Sequence, residues 1–450
     1  MNHRITRRRF LATVAAAALP AVHASAAAGA PLRTVVLDAK VRFIPRALVR
    51  PLILSTGKIT EITEAVAEVT VRAGGRESSG RGAIYLSDLW AWPDASLTHE
   101  HRDARLRVLT EEIAAKLPEF CGGEAAHPLE LGLRLHDAVC RQADPPLLAR
   151  AMCASPFDAA IHDAAGRALG MSAFDFYREP VPLPSADPYF AGGGACRAIA
   201  ALIRPPRREL RAWYLVGKND DMDKDVGPWV RERGYRCFKI KIMGRSAAED
   251  VARTVGVYRA VKRLGAKDPQ LSVDTNEANP DAASVLDYLE RLRAADAEAF
   301  EALLYFEQPT GRDIMVHRFD WRPVTRLKPV LLDEGLTDLA LMSEAVRQGW
   351  SGFALKTCKG HSFALTAAAW AREHGLPVSL QDLTNPGLAL IHAAYFAAHV
   401  QTLNDVELNS PQFTPAANAA WLPRLGGLFE PRGGVHRLPE EPLVGLNSGL

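Results

Sequence analysis

The sequence predicts a small α+β domain followed by a parallel (β/α)8 barrel, and three observations predict it. From Cys237 onward, apolar runs alternate with helical stretches at intervals of about 23 to 35 residues, the length of one βα unit. Each run ends in a polar residue: Lys239 and Lys241 in "CFKIKIMG", Asp274 in "LSVDTNEA", Glu307 in "ALLYFEQPT", Asp333 in "PVLLDEGL", Lys356 in "GFALKTCKG", and Gln381 with Asp382 in "PVSLQDLTNPG". With "LRAWYLVGK" before and "HVQTLNDVELN" after, eight strand candidates emerge. Eight parallel strands alternating with helices close a barrel whose chemistry gathers at the C-terminal mouth.

Taken in chain order, the first element is a signal peptide over residues 1–26. Thr6-Arg7-Arg8-Arg9-Phe10-Leu11 precedes an Ala/Leu/Val-rich run and small residues around Ala24-Ser25-Ala26. The paired arginines followed by Phe-Leu resemble a twin-arginine export signal, which carries folded proteins and implies a periplasmic protein. The apolar run is well short of the ~20 residues that span a bilayer, so no stable membrane insertion is expected after processing.

Residues 31–185 read as the α+β domain. "VRFIPRALVRPLILSTGKITEITEAVAEVTVRAGG" has the look of meandering antiparallel strands, and helices follow. The best-defined helix is "SPFDAAIHDAAGRALG", with Ser155 as N-cap, Pro156 in the first turn and Gly170 as the stop. Its apolar stripe of Phe157, Ile161, Ala164, Ala165 and Ala168 leaves His162 as a solvated residue. Residues 186–209 read as a linker or insertion, and residues 210–435 as the barrel with its C-terminal tail. Within the barrel, "AAEDVARTVGVYRAVKRLG" shows the three-and-four apolar spacing of a helix that stops at glycine.

Net charge is +2 and its contributors are spread along the chain, which argues against a nucleic-acid surface and for a small-molecule partner. Cys121, Cys140, Cys153, Cys196, Cys237 and Cys358 are far apart with no C-x-x-C spacing, so neither a disulfide framework nor a zinc site is readable.

Three acids ending successive strands, Asp274, Glu307 and Asp333, repel one another unless a cation joins them. Their oxygen ligands suit Mg2+, with Mn2+ as the alternative ion. Lys239 and Lys241 share one strand face and point toward those acids, while Lys356 faces the site four strands further on. Crowding by a second ammonium and a metal is expected to lower a lysine pKa and free a neutral amine as a base. A carboxylate substrate with such a base on each side of its α-carbon can lose a proton to give an enediolate.

On these residues the chain resembles the mandelate racemase and muconate lactonizing enzyme group of the enolase superfamily, over essentially its whole mature length. Four motifs carry the resemblance in order and spacing: K-x-K in "KIKIMG", D-x-N in "VDTNEA", E-Q-P in "FEQPT" and D-E in "LLDEG". "FDAAIHDAAGRALG" is similar to the helix that closes the family's capping domain, which implies that residues 31–185 cap the barrel. The resemblance implies Asp274, Glu307 and Asp333 as Mg2+ ligands, Lys241 as an acid/base supported by Lys239, and Asn276 and Glu334 as polar contacts around them. Lys356 resembles the second lysine base of the muconate lactonizing branch, since "SLQDLTNPG" lacks the histidine that the mandelate racemase branch requires. "KGHS" departs from the usual glycine pair and puts His361 at the mouth, with Asp382 a further substrate contact.

Racemisation, epimerisation, cycloisomerisation and dehydration all begin with the same proton abstraction, so this set of residues does not choose among them. Trp90 and Trp92 belong to a loop that closes over the barrel, as packing or as substrate contacts. Asp405 and Glu407 loosely resemble the acidic pair with which dipeptide epimerases hold an ammonium group, against a favoured reading as a solvated strand end. A non-catalytic periplasmic acid-binding relative is the rival class, and a homo-oligomer stays open.

Overall fold

The computed structural model describes residues 32–54, 57–192 and 194–447; the stretch 1–26, read from sequence as a signal peptide, lies outside them. The chain from Leu32 onward is one compact unit. It opens with a three-stranded antiparallel sheet in the order β1 (Thr34–Leu54), β2 (Gly57–Ala73) and β3 (Arg76–Tyr85). β1 and β2 form a long hairpin whose inner half alternates buried and exposed residues, as a sheet with one covered face requires. Two helices cover that face, α1 (His99–Phe120) and, beyond α2 (Pro128–Cys140), α3 (Leu147–Leu169), on which α2 packs. Gly80 and Gly82 on β3 are small because a Cβ at either would collide with the α3 backbone at Ala164 and Pro156.

α3 begins nine residues earlier than the Ser155 cap predicts and runs straight through Pro156. Proline has no N–H for the Met152 carbonyl, and the Ser155 hydroxyl donates to that carbonyl instead, at 2.8 Å. The stop at Gly170 is as expected, with φ 68° in the left-handed region. His162 is fully buried rather than solvated, because α3 packs on the barrel as well as on the sheet.

The barrel sheet has seven parallel strands in sequential order: β4 (Trp213–Val216), β5 (Cys237–Lys241), β6 (Gln270–Asp274), β7 (Leu303–Glu307), β8 (Val330–Leu332), β9 (Gly352–Leu355) and β10 (Val378–Leu380). The eighth candidate does not form a strand. Leu403 N donates to Val378 O and Glu407 N to Leu380 O, so the segment lies along β10, but its only bridge joins Gln381 and Glu407. Asp405 at φ 60° breaks its extended run. Side chains close the gap to β4: Trp213 Nε1 donates to Asn404 O, and Gln412 exchanges hydrogen bonds with both Leu215 N and Leu215 O.

In the stretch 186–209, a helix α4 (Ala195–Leu202) forms; the longer barrel helices that follow are α5 (Ala247–Arg263), α6 (Ala282–Ala295), α7 (Ala340–Gln348) and α8 (His361–Glu373), and α4 packs against α8, while Glu209–Arg211 pairs antiparallel with Val435–Arg437 of the tail. The sheet domain is fixed to the barrel by buried polar contacts. Asp158 of α3 accepts from Ser362 N and Ser362 Oγ at the start of α8, and Asn385 Oδ1 accepts from Tyr85 N of β3. All six cysteines are unpaired thiols, and among the described residues no helix is long and apolar enough to cross a membrane.

Candidate active site

The register of the parallel sheet decides which side chains meet. Lys239 sits beside Ser272 and Lys241 beside Asp274, and Asp274 in turn sits beside Glu307. Side chains alternate along β5, so Phe238 and Ile240 bury in the helix layer while both lysines enter the barrel. Lys239 Nζ lies 2.8 Å from Glu307 Oε1, 3.1 Å from Asp274 Oδ2 and 3.4 Å from Glu407 Oε2. Lys241 Nζ donates to Asp274 Oδ2 at 2.5 Å and Asn276 Oδ1 at 2.7 Å. From the far side, Lys356 Nζ pairs with Asp333 Oδ2 and stands 3.7 Å from Glu307 Oε1.

Tight turns hold these groups at the strand ends. Asn276 and Glu277 both have positive φ, so the chain doubles back after β6 and Asn276 N donates to Asp274 Oδ1 at 2.7 Å. Gln308 of the E-Q-P motif, itself at φ 31°, accepts from Asp333 N and Gly335 N and so ties the β7 end to the β8 end. Glu334 Oε1 accepts from Asn276 Nδ2 at 3.1 Å and from Trp90 Nε1 at 2.9 Å. Trp90 thus roofs the site, whereas Trp92 packs edge-on against His101, away from it.

The charge balance is one-sided. Six buried acids, Asp274, Glu307, Asp333, Glu334, Asp382 and Glu407, face four ammonium groups, those of Lys239, Lys241, Lys356 and Lys359. Burial works against every carboxylate, but Lys241 and Lys239 override it at Asp274 and hold its pKa at about 2. Lys356 and Lys359 likewise depress Asp333. Burial wins at Glu307, pushed up to about 7, and at Glu334, pushed up to about 8 with help from Asp333 and Asp274. Burial pulls Lys239 and Lys356 down, and the surrounding carboxylates, Glu307 and Asp333 foremost, outweigh it and raise both.

Hard oxygen donors on adjacent strand ends, with acids outnumbering ammonium groups around them, are the chemistry that one divalent ion such as Mg2+ suits. In the present arrangement no three acid, imidazole or thiol side chains among the described residues converge on one point. Lys239 spans Asp274 and Glu307, and Lys356 spans Glu307 and Asp333, so an ion shared by the three acids requires them to turn away from those ammonium groups.

The cleft between sheet domain and barrel has an empty volume of about 450 Å³, its solvent mouth included. Lys239, Lys241, Asp274, Asn276, Lys356 and Asp382 all line it. Leu52, Leu54 and Ile59 of the β1–β2 hairpin give it an apolar lip. His361 is not at the mouth. It is buried behind β9, 4.6 Å from the His162 ring, because α8 begins at His361 itself and turns the ring toward α3. Asp405 and Glu407 do not act as a pair, and neither is solvated. Asp405 is held by Arg207 and Arg211, while Glu407 lines the cleft. Sequence reasoning missed Lys359, whose Nζ bonds Asp333 Oδ1 at 3.1 Å; its i+3 spacing from Lys356 on a helical turn was the available signal.

No curated protein matches the chain by sequence. Solved structures match it along almost their whole length. A dipeptide epimerase from Enterococcus faecalis V583, complexed with Mg and L-Leu-L-Tyr, is 16% identical with a TM-score of 0.63, covering 91% of this chain and 98% of that one. A muconate lactonizing enzyme from Pseudomonas fluorescens, complexed with muconolactone, is 18% identical with a TM-score of 0.59, covering 93% and 97%. An enolase from Bradyrhizobium, complexed with magnesium and mandelic acid, is 18% identical with a TM-score of 0.60, covering 93% and 96%. The model of the enolase C-terminal domain-like family matches residues 221–447, just over half of the 450-residue chain. With its parallel barrel sheet beneath an antiparallel capping domain, this chain belongs to the enolase C-terminal domain-like family of the enolase superfamily.

Proposed function

We propose that the protein is an Mg2+-dependent enzyme that removes the α-proton of a small carboxylic acid through an enediolate and completes a racemisation, epimerisation, cycloisomerisation or dehydration. The observation that carries this reading is the placement of Lys241 and Lys356. They enter one cleft from β5 and from the end of β9, on opposite flanks of Asp274, Glu307 and Asp333. Magnesium complexes among the structural neighbours support the choice of ion.

Asp274, Glu307 and Asp333 are the residues that would hold the ion, which supplies positive charge to the substrate carboxylate and so acidifies its α-carbon. With an ion held there, Lys241 and Lys356 would be the amines placed to take or return a proton, each on its own face of the α-carbon. Lys239, buried beside Glu307, Asp274 and Glu407 and raised by them, is the charged support of the acid row rather than a base. Trp90 and the hairpin leucines exclude water from the reacting face.

Solvent exchange tests the reading. In D2O with Mg2+, a panel of carboxylic acids should include members that gain deuterium at the α-carbon, and chelator or Asp333→Asn should stop it. Exchange that persists in chelator would refute the metal, and a panel with no exchange would favour an acid-binding relative. We also propose export through the twin-arginine signal to the periplasm, supported by Arg7-Arg8-Arg9-Phe10-Leu11. Replacing Arg7 and Arg8 by lysine should hold the protein in the cytoplasm.

A further inference from the structure

On the seam between capping domain and barrel, behind the cleft, imidazole nitrogens collect. Nδ1 and Nε2 of His361, Nε2 of His162 and Nε2 of His392 are buried without a hydrogen-bond partner among the described residues. His162 comes from α3, His361 opens α8, and His392 stands on α9 (Gly387–His399), the helix that follows β10. The His361 ring lies 4.6 Å from that of His162. His361 and His392 line one wall of an interlayer cavity of about 300 Å³, its openings included, and β3 and α3 form the other. Buried polar atoms are ordinarily paired, so a knot of unpaired ones between two layers calls for a reason.

Asp158 of α3 is the carboxylate that faces the cluster. Its Oδ1 lies 3.2 Å from His162 Nδ1, and it already accepts from Ser362 N and Ser362 Oγ. Asp163, on the same helix, is engaged by Arg81 N and Leu446 N. The other groups that face the cluster are cations or further imidazoles. Arg81 of β3 opposes a charge on His392, His392 and His399 of α9 oppose one on His361, and His127 ahead of α2 opposes one on His162. His399 in turn faces Asp175 and Arg208. One carboxylate cannot balance three imidazolium ions in a buried seam. Burial and His162 hold His361 well below the ordinary 6.5, and burial, Arg81 and His162 lower His392 to about 3.

We propose that His162, His361 and His392 make the docking of the capping domain on the barrel acid-sensitive, so that the seam is shut while the imidazoles are neutral and parts as they take up protons. Parting does not require either layer to unfold, because α3 keeps its packing on β2 and β3, and α8 keeps its packing on β9. It solvates the three rings together, and a solvated histidine titrates near its ordinary value. The open form then binds protons that the shut form refuses, and the balance moves toward opening as pH falls below 6.5. At pH 5 the shift is roughly thirtyfold for each histidine held neutral in the shut form. The cleft is lined from both layers, by Leu52 and Ile59 of the hairpin and by Lys241 and Lys356 of the barrel, so a parted seam dismantles it. In "KGHS", the departure from the usual glycine pair, both His361 and Ser362 face the seam.

Two backbone amides report the seam directly. Ser362 N donates to Asp158 Oδ2 at 2.8 Å and Tyr85 N to Asn385 Oδ1 at 2.9 Å, each across the two layers, so both are released when the seam parts. Hydrogen–deuterium exchange of the full chain at pH 7, 6 and 5, resolved to single residues by mass spectrometry and corrected for intrinsic rates, follows them. Protection of both amides should fall at least roughly thirtyfold between pH 7 and pH 5 and return at pH 7, while the amides of β6 and β7 keep theirs. His361→Gln, which cannot titrate, should lose roughly thirtyfold less than the wild type, and His361→Gln with His392→Gln should lose little. A parallel fall through β6 and β7, no fall between pH 7 and pH 5, or a fall as steep in the double variant as in the wild type overturns the proposal. If the variants fail to fold, the wild-type contrast between seam amides and strand amides decides alone.

Discussion

Trp90 donates its indole N–H to Glu334 Oε1 at 2.9 Å, joining the capping domain to the end of β8 across 244 positions of sequence. The same ring lies 5.2 Å from Lys356 Nζ, a cation–π contact, and Arg312 grips the Trp90 carbonyl while paired with Glu277. Cap closure and the placement of a proposed base are therefore one structural event.

Trp90→Phe keeps a ring over Lys356 but gives Glu334 no donor. The loss of one buried hydrogen bond should lower stability by about 0.5–1.5 kcal/mol, read as a shifted denaturant midpoint with unchanged slope. Trp90→Ala should cost about 3–5 kcal/mol and admit water to the Lys356 side of the cleft. Equal stability of Trp90→Phe and the wild type would remove the indole N–H from the account.

Pairs such as Lys241 beside Asp274 were legible in the sequence because a parallel strand puts its polar end-residues at one mouth, and apolar runs mark where strands stop. What was not legible depended on single backbone torsions and on what lies above a face. Asp405 at φ 60° ends a segment that propensity reads as strand. His162 looks solvated on a helical wheel, yet α3 is covered on both sides, so polarity does not reveal its burial. The cleft's hairpin lip of Leu52, Leu54 and Ile59 comes from a separate sheet, and no local pattern assigns those residues to the barrel's mouth.

Burial holds three histidines neutral: His127 and His436 are lowered to about 4, and His392 to about 3. Their ordinary value is 6.5, so below it the unfolded chain takes up protons that the folded chain refuses. Stability from these groups is complete above pH 6.5 and falls as pH drops from there toward 4, by up to about 1.4 kcal/mol per histidine per pH unit. His392→Gln should flatten that slope by one histidine's share between pH 6 and 4, measured by denaturant unfolding at a series of pH values. An unchanged slope would mean that His392 is protonated in the folded protein.

The Ser155 and Pro156 pair offers a test of why α3 is continuous. Ser155→Ala leaves the buried Met152 carbonyl without a donor and should cost about 1–2 kcal/mol. Pro156→Ala restores a backbone N–H to the same carbonyl, so Ser155→Ala should be nearly neutral in that background. A double-mutant cycle should give a coupling of about 1 kcal/mol; additive effects would show that the hydroxyl does not replace the missing donor.

Lys241 and Lys356 approach the cleft from opposite flanks of the acid row, and the two-base reading gives them opposite faces of the α-carbon. Lys241→Ala and Lys356→Ala should each lose overall turnover, since a full reaction in either direction needs both faces. Their residual chemistry should be mirror-related: for a substrate with both epimers available, each variant should still exchange the α-proton of one epimer, a different one in each case. Lys239→Ala should behave unlike both. It removes the cation that spans Glu307, Asp274 and Glu407, so Mg2+ affinity and stability should change while any remaining exchange keeps both faces. Deuterium incorporation followed by NMR on separate epimers decides the matter. If both end variants exchange the same epimer, or if Lys356→Ala is silent, Lys356 is not a base but a fixed charge beside Asp333.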